Sequence, residues 1–198
     1  MIAIIDITGN NLTSLCNAIR GLGFDYVLTH SAAEIEQASR VILPGVGAAA
    51  PAMQALQEYD LVSVLRQLTQ PLLGICLGMQ LMYERSEEGN VECLGLIPGT
   101  VQRLPDQQGC PVPHMGWNLL HWNHDSPLRQ GLTNNEYVYF VHSYVALAAD
   151  YAAARCQYSA EFTAIVHKDN VYGMQFHPEK SAATGLKLLN NFLEIAAC

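Results

Sequence analysis

Residues 2–7 are almost wholly apolar, and the pattern of a short apolar run followed by an amphipathic stretch repeats through the first eighty-odd residues. An apolar run of that length predicts a strand covered on both faces, as at the centre of a parallel sheet. After a turn at residues 8–11, Leu12, Leu15, Ile19 and Leu22 fall at helical spacing and stop at Gly21-Leu22-Gly23. Residues 24–28 predict a second strand, 32–38 a short helix with polar side chains outward, and 40–44 a third strand. A helix is expected to start at Pro51, a residue suited to the first helical position. Leu56, Leu61, Val64, Leu65 and Leu68 carry helical periodicity past a break at Tyr59-Asp60. Residues 71–82 then repeat the sequence of strand, turn and helix.

Strands alternating with helices predict an α/β fold: a mostly parallel open sheet, helices on both faces, ligands at the carboxyl ends of the strands. The regularity then breaks. Residues 84–89 predict a polar turn, and 93–136, rich in Gly, Pro, His and Asn, an elaboration on the sheet edge with only short strand-like pieces. Strands are expected at 137–141, 152–157, 162–166 and 171–176, the last three forming a C-terminal antiparallel meander. Leu186, Leu188, Leu189, Phe192, Leu193 and Ile195 mark a closing helix. One domain over residues 1–198 is the expectation for a chain of this length.

Bulk properties narrow the function classes. The formal charge is -8 with no Lys/Arg cluster, which disfavours nucleic acid and anionic membrane as partners. Only 14% of residues are charged, which suits a protein that gives part of its surface to another. No apolar run reaches membrane-spanning length, and residues 1–6 read directly as a strand rather than a basic leader before a hydrophobic segment. The six cysteines follow no CxxC or regular spacing, so free thiols in a reducing, cytoplasmic setting are expected. Neither a Walker A nor a Rossmann glycine pattern is present, and the histidines lack zinc spacing, so no cofactor and no metal are expected.

The chemistry concentrates at Gly74-Ile75-Cys76-Leu77-Gly78, an apolar run meeting a Gly-x-Cys-x-Gly turn ahead of a helix. That is a nucleophile elbow, with a thiol above the sheet edge and its thiolate favoured by the free N–H groups of the helix start. Alone, the stretch equally suits a buried structural cysteine beside two packing glycines. His177-Pro178-Glu179 leaves the last strand, where His177 and Glu179 can share one side of an extended segment. His177 would deprotonate Cys76 and Glu179 would fix the imidazole. The order nucleophile, base, acid differs from that of the α/β-hydrolases. Pro44-Gly45-Val46-Gly47 ends the third strand, either as a tight turn or as a source of backbone N–H groups for an oxyanion together with Leu77. His114-Met115-Gly116-Trp117-Asn118 and Tyr139-Phe140-Val141-His142-Ser143-Tyr144 concentrate aromatic and hydrogen-bonding groups, which suits ordinary packing or a recognition surface.

Taken together these motifs, with the trailing Lys180-Ser181, make the chain resemble the class I glutamine amidotransferases over essentially its whole length. Within them it is similar to the stand-alone subunits serving a (β/α)8-barrel cyclase in histidine biosynthesis. It departs from the usual family residues at Ile7 and Ala49, outside the triad. The resemblance implies that Cys76, His177 and Glu179 hydrolyse L-glutamine through a thioester, with Gly45, Val46 and Leu77 as the oxyanion hole. It implies that Gln80, His142, Ser143 and Tyr144 border the substrate. Asn10, Leu12, Met115, Trp117, Asn118, Tyr139 and Lys180 are the residues expected to face the cyclase in a heterodimer. Ammonia would pass to that cyclase, which forms imidazole glycerol phosphate and an aminoimidazole carboxamide ribonucleotide. Three alternatives keep part of the pattern: an amidotransferase subunit of p-aminobenzoate or anthranilate synthesis, a regulatory module without turnover, and a cysteine peptidase.

Overall fold

The apolar runs of the first eighty residues lie side by side. In the computed structural model, which describes residues 1–7, 12–147 and 150–196, β1 (Ile2–Ile5), β2 (Tyr26–Thr29), β3 (Arg40–Gly45) and β4 (Leu72–Cys76) pair in parallel in the order β2-β1-β3-β4. Every residue of β1 and β4 is buried, as an all-apolar strand requires. Between them run α1 (Thr13–Gly21), α2 (Ala32–Gln37), α3 (Ala49–Glu58) and α4 (Leu61–Gln67). Pro51 is the third residue of α3 rather than its first. The position still lies in the opening turn, where a backbone N–H has no intrahelical partner to lose. The break between α3 and α4 falls at Asp60, in the left-handed conformation at φ 55°.

The helix after Cys76, α5 (Leu77–Gln80), lasts only one turn. The carbonyls of Leu81 and Met82, which would continue it, accept instead from the N–H groups of Leu94, Leu96 and Ile97. The chain turns into β5 (Tyr83–Ser86), with Tyr83 and Ser86 buried and Glu84 and Arg85 outward, so the polar turn expected at 84–89 is half strand.

The stretch 93–136 likewise corrects the expectation. After β6 (Val91–Glu92) and β7 (Ile97–Arg103) come β8 (His114–Leu119), β9 (His121–Trp122), β10 (Tyr137–His142) and β11 (Tyr144–Ala146). Only β9 extends the main sheet. β11-β7-β5-β6 form a second sheet and β8 pairs with β10 in a separate antiparallel ribbon. The ribbon buries His114, Val138, Phe140 and His142 and exposes Met115, Trp117 and Tyr137, the alternation of a ladder with one wet face.

The last three strands, β12 (Ala152–Gln157), β13 (Glu161–Lys168) and β14 (Val171–Met174), form the expected antiparallel meander, and β14 returns parallel to β4. The main sheet is therefore mixed, parallel through β4–β14 and antiparallel beyond. Its two faces carry separate cores, one under α1 and α6 (Ala182–Glu194), the other under α2, α3 and α4. No helix among the described residues is long and apolar enough to cross a membrane.

Candidate active site

Cys76 ends β4 with φ 53° and ψ -111°, a left-handed backbone that a non-glycine residue adopts only when its surroundings enforce it. The enforcement comes from the turn. A Cβ on Gly78 would lie 1.7 Å from the carbonyl oxygen of Leu43, and one on Gly74 would lie 2.6 Å from Cα of Met79. Glycine alone lets the one-turn helix press onto the sheet, and that pressure fixes the elbow.

Strand register then sets the neighbours of Cys76. Gly45 pairs with it across β3, while on β14 Met174 pairs with Ile75, so the chain continues through Gln175 beside the thiol and reaches His177 two residues later. Period-two alternation puts Gln175 and His177 on one side. The His177 N–H donates to the Tyr139 carbonyl at 3.1 Å, and the His177 carbonyl accepts from Ser181 Oγ at 2.7 Å. Pro178–Lys180 is a 3₁₀ turn rather than an extended segment, which swings Glu179 back until Oε1 is 2.9 Å from His177 Nδ1. Pro178 opens that turn, where its missing N–H leaves no gap.

With Nδ1 occupied by Glu179, Nε2 is the ring nitrogen left to face Cys76, which lines the same cavity. Burial pushes His177 towards the neutral form, but hydrogen bonds to Cys76 and Glu179, and their negative charge, outweigh it and raise its pKa to about 10. The arrangement favours an imidazolium beside the sulfur.

A cavity of about 330 Å³ opens in front of the thiol. Its lining brings together Cys76, Leu77, Val46, Gln80, His177 and the segment His142-Ser143-Tyr144. Gln80 is buried and donates through Nε2 to the Tyr144 carbonyl at 2.9 Å. His142 Nδ1 lies 3.0 Å from the same carbonyl. On the other side of Val46 and His177 lies a smaller cavity of about 80 Å³, walled also by Gly45, Leu12, Glu179 and Lys180.

The residues expected to face a partner divide. Met115 and Trp117 are exposed, Tyr139 packs edge-on against Trp117 with ring centroids 6.0 Å apart, and Lys180 is exposed. Leu12 is half-buried. Asn118 points inward: Nδ2 donates to the Gln157 carbonyl at 2.9 Å and lies 3.4 Å from His114 Nε2, because it shares the buried face of β8 with His114. Asn10 lies outside the described residues. Among the described residues no cluster of three or more His, Cys, Asp or Glu could hold a metal ion.

Two side chains at the site escaped the sequence reading. Glu88 lines the large cavity while its Oε2 accepts from the Ala49 N–H at 2.9 Å. Gln175 is fully buried against Cys76. Counting back two positions from His177 along an alternating strand would have found Gln175. Nothing local marks Glu88, which arrives through the turn after β5.

The fold is shared with solved amidotransferases. A structure described as a glutamine amidotransferase aligns over 100% of this chain and 99% of its own at TM-score 0.77 and 18% identity. The glutaminase domain of the Trypanosoma brucei CTPS aligns over 98% and 93% at TM-score 0.69 and 16% identity. In sequence, the family model for class-I glutamine amidotransferases matches residues 3–196. Imidazole glycerol phosphate synthase subunit HisH 2 of Legionella pneumophila (strain Paris) is 64% identical over 195 residues, covering 98% of each chain. HisH of Idiomarina loihiensis is 49% identical over 197 residues, covering 100% of this chain and 99% of the relative. The chain belongs to the class-I glutamine amidotransferases, a family of enzymes, and within them to the HisH glutaminases of histidine biosynthesis.

Proposed function

We propose that this chain is the glutaminase half of an imidazole glycerol phosphate synthase, and that Cys76, His177 and Glu179 are its catalytic triad. The observation that carries the reading is the strained elbow at Cys76, with a Glu179-anchored imidazole beside it and a glutamine-sized cavity in front. The Cys76 thiolate attacks the side-chain carboxamide carbon of L-glutamine. The carbonyl π electrons move to oxygen, and the N–H of Leu77 and the backbone at Gly45 and Val46 receive that charge. Collapse of the intermediate breaks the C–N bond, and the His177 imidazolium donates its proton to the departing nitrogen, releasing ammonia. The neutral imidazole then takes a proton from water, whose oxygen attacks the γ-glutamyl thioester. Glutamate leaves and the thiolate returns.

Substrate contacts follow from what the cavity offers. Gln80 has its N–H groups engaged, so it presents its amide oxygen. Ser143 and Tyr144 border the α-amino and α-carboxylate end with His142, and Glu88 supplies the carboxylate that an α-ammonium group requires. The smaller cavity beyond Val46 and His177 is the exit for ammonia. A buried route matters because ammonia protonated in bulk water loses its nucleophilic lone pair.

The receiving partner is a HisF-type (β/α)8-barrel cyclase, docked over the exposed Met115, Trp117 and Tyr137 face of the β8–β10 ribbon and the rim at Leu12 and Lys180. It converts its ribonucleotide and the ammonia into imidazole glycerol phosphate and aminoimidazole carboxamide ribonucleotide. Glutamine hydrolysis measured with and without that cyclase and its ribonucleotide tests the reading. Glutamate release that rises when both are present is expected. Absence of hydrolysis under all conditions would refute it.

A further inference from the structure

Beside Cys76 a set of buried amides has only one consistent orientation. The Tyr144 carbonyl can only accept, so the Gln80 atom 2.9 Å from it is the amide nitrogen. That nitrogen's second hydrogen goes to Gln175 Oε1 at 3.0 Å. With its oxygen thus engaged, the Gln175 amide turns Nε2 towards Cys76 Sγ, 3.8 Å away. On the other side of the Tyr144 carbonyl the same logic holds. His142 must carry its proton on Nδ1, so its Nε2 accepts from His114 Nδ1 at 3.1 Å, and His114 Nε2 accepts from Asn118. Reversing any link would set two donors or two acceptors face to face.

We propose that Gln175 is a positioning residue for the nucleophile. Its N–H donates to the Cys76 sulfur, favours thiolate over thiol, and aims the sulfur into the cavity. The assignment rests on Cys76 being the nucleophile of the reading above. Packing alone does not call for an amide here: Gln175 is fully buried, and a methionine has nearly its length and volume. What the amide adds is a donor at sulfur and an acceptor for Gln80. Register makes the site specific, since Cys76 is flanked by Gly45, without a side chain, on β3 and by Gln175 at the end of β14. A donor to an ionised acceptor is worth more than a donor to a neutral one, so the bond from Gln175 favours the thiolate.

The test is the pH profile of Cys76 alkylation by iodoacetamide in the full chain, located by peptide mass spectrometry, for wild type, Gln175→Met and Gln175→Glu. Cys93 and Cys156, which burial raises to about 11 and 12, serve as unreactive controls. The midpoint should rise by about one pH unit in Gln175→Met, the size expected for a lost hydrogen bond to a charged group. It should rise further in Gln175→Glu, whose carboxylate still accepts from Gln80 but faces the thiolate with like charge. Thermal melts identify the folded variants, and an unchanged midpoint in either folded variant overturns the assignment. Because the readout is ionisation and not turnover, a wild-type complex that hydrolyses no glutamine would refute the functional reading alone.

Discussion

His177 and His142 line the same cavity and are each 6% exposed, yet the protein holds them in opposite charge states. At the Glu179 corner, burial works against charging His177, but the thiol and the carboxylate overcome it and lift the imidazole to about 10. At the ribbon corner, burial pushes His142 down to about 3, helped by the neighbouring His114 and by His177 itself. His114, also desolvated, falls to about 4. Equal exposure thus leads to opposite outcomes. Anionic groups outweigh burial at one corner, whereas at the other a second imidazole adds to it and the Tyr144 carbonyl opposes it only in part. A neutral ladder at the ribbon corner keeps a fixed donor direction that a titrating one would lose.

Breaking the charged corner should have the largest effect. Cys76→Ala should lower glutamine-dependent synthesis by roughly 10⁴-fold or more while ammonia-dependent synthesis in the complex persists. Loss of both would indicate a failure of folding or assembly. Next, His177→Ala should cost about 10²- to 10⁴-fold in glutamine turnover, the usual worth of a positioned acid–base group. Glu179→Gln should cost less, because it leaves the base in place and removes only its orienting charge. Equal losses from these two variants would contradict that division of roles.

The neutral corner should respond in stability. His142→Phe strands the His114 Nδ1–H and one bond to the Tyr144 carbonyl, which should destabilise the chain by about 1–3 kcal/mol in urea denaturation. The two corners also separate by pH. The unfolded chain protonates His114 and His142 near 6.5, the folded chain only near 4 and 3, so their contribution is lost as pH falls from 6.5 through those values. His177 runs the other way: its contribution is full below 6.5 and is lost as pH rises through about 10. Removing the ladder with a His114→Gln, His142→Gln pair should flatten the acid limb and leave the alkaline limb in place.

Much of this was legible along the chain because it is local. The apolar runs within β1, β3 and β4 announce buried parallel strands, Gly-x-Cys-x-Gly announces the elbow, and His-Pro-Glu keeps His177 and Glu179 two residues apart. What stayed hidden is set by pairing between distant segments. Gln175 meets Cys76 across 99 positions only because β14 returns parallel to β4. The second sheet is hidden because β5 and β6 are short and carry polar residues outward, which locally reads as turn. Alternation along β8 sets Asn118, half-buried against His114 and Gln157, apart from the exposed Met115 and Trp117 of the same motif.

The most direct test of the charged corner is covalent. An electrophilic glutamine analogue, incubated with the chain in its cyclase complex and mapped by mass spectrometry, should leave a single adduct on Cys76 that disappears in Cys76→Ala and is slowed in His177→Ala. An adduct on another residue, or none while the complex is intact, would contradict the account.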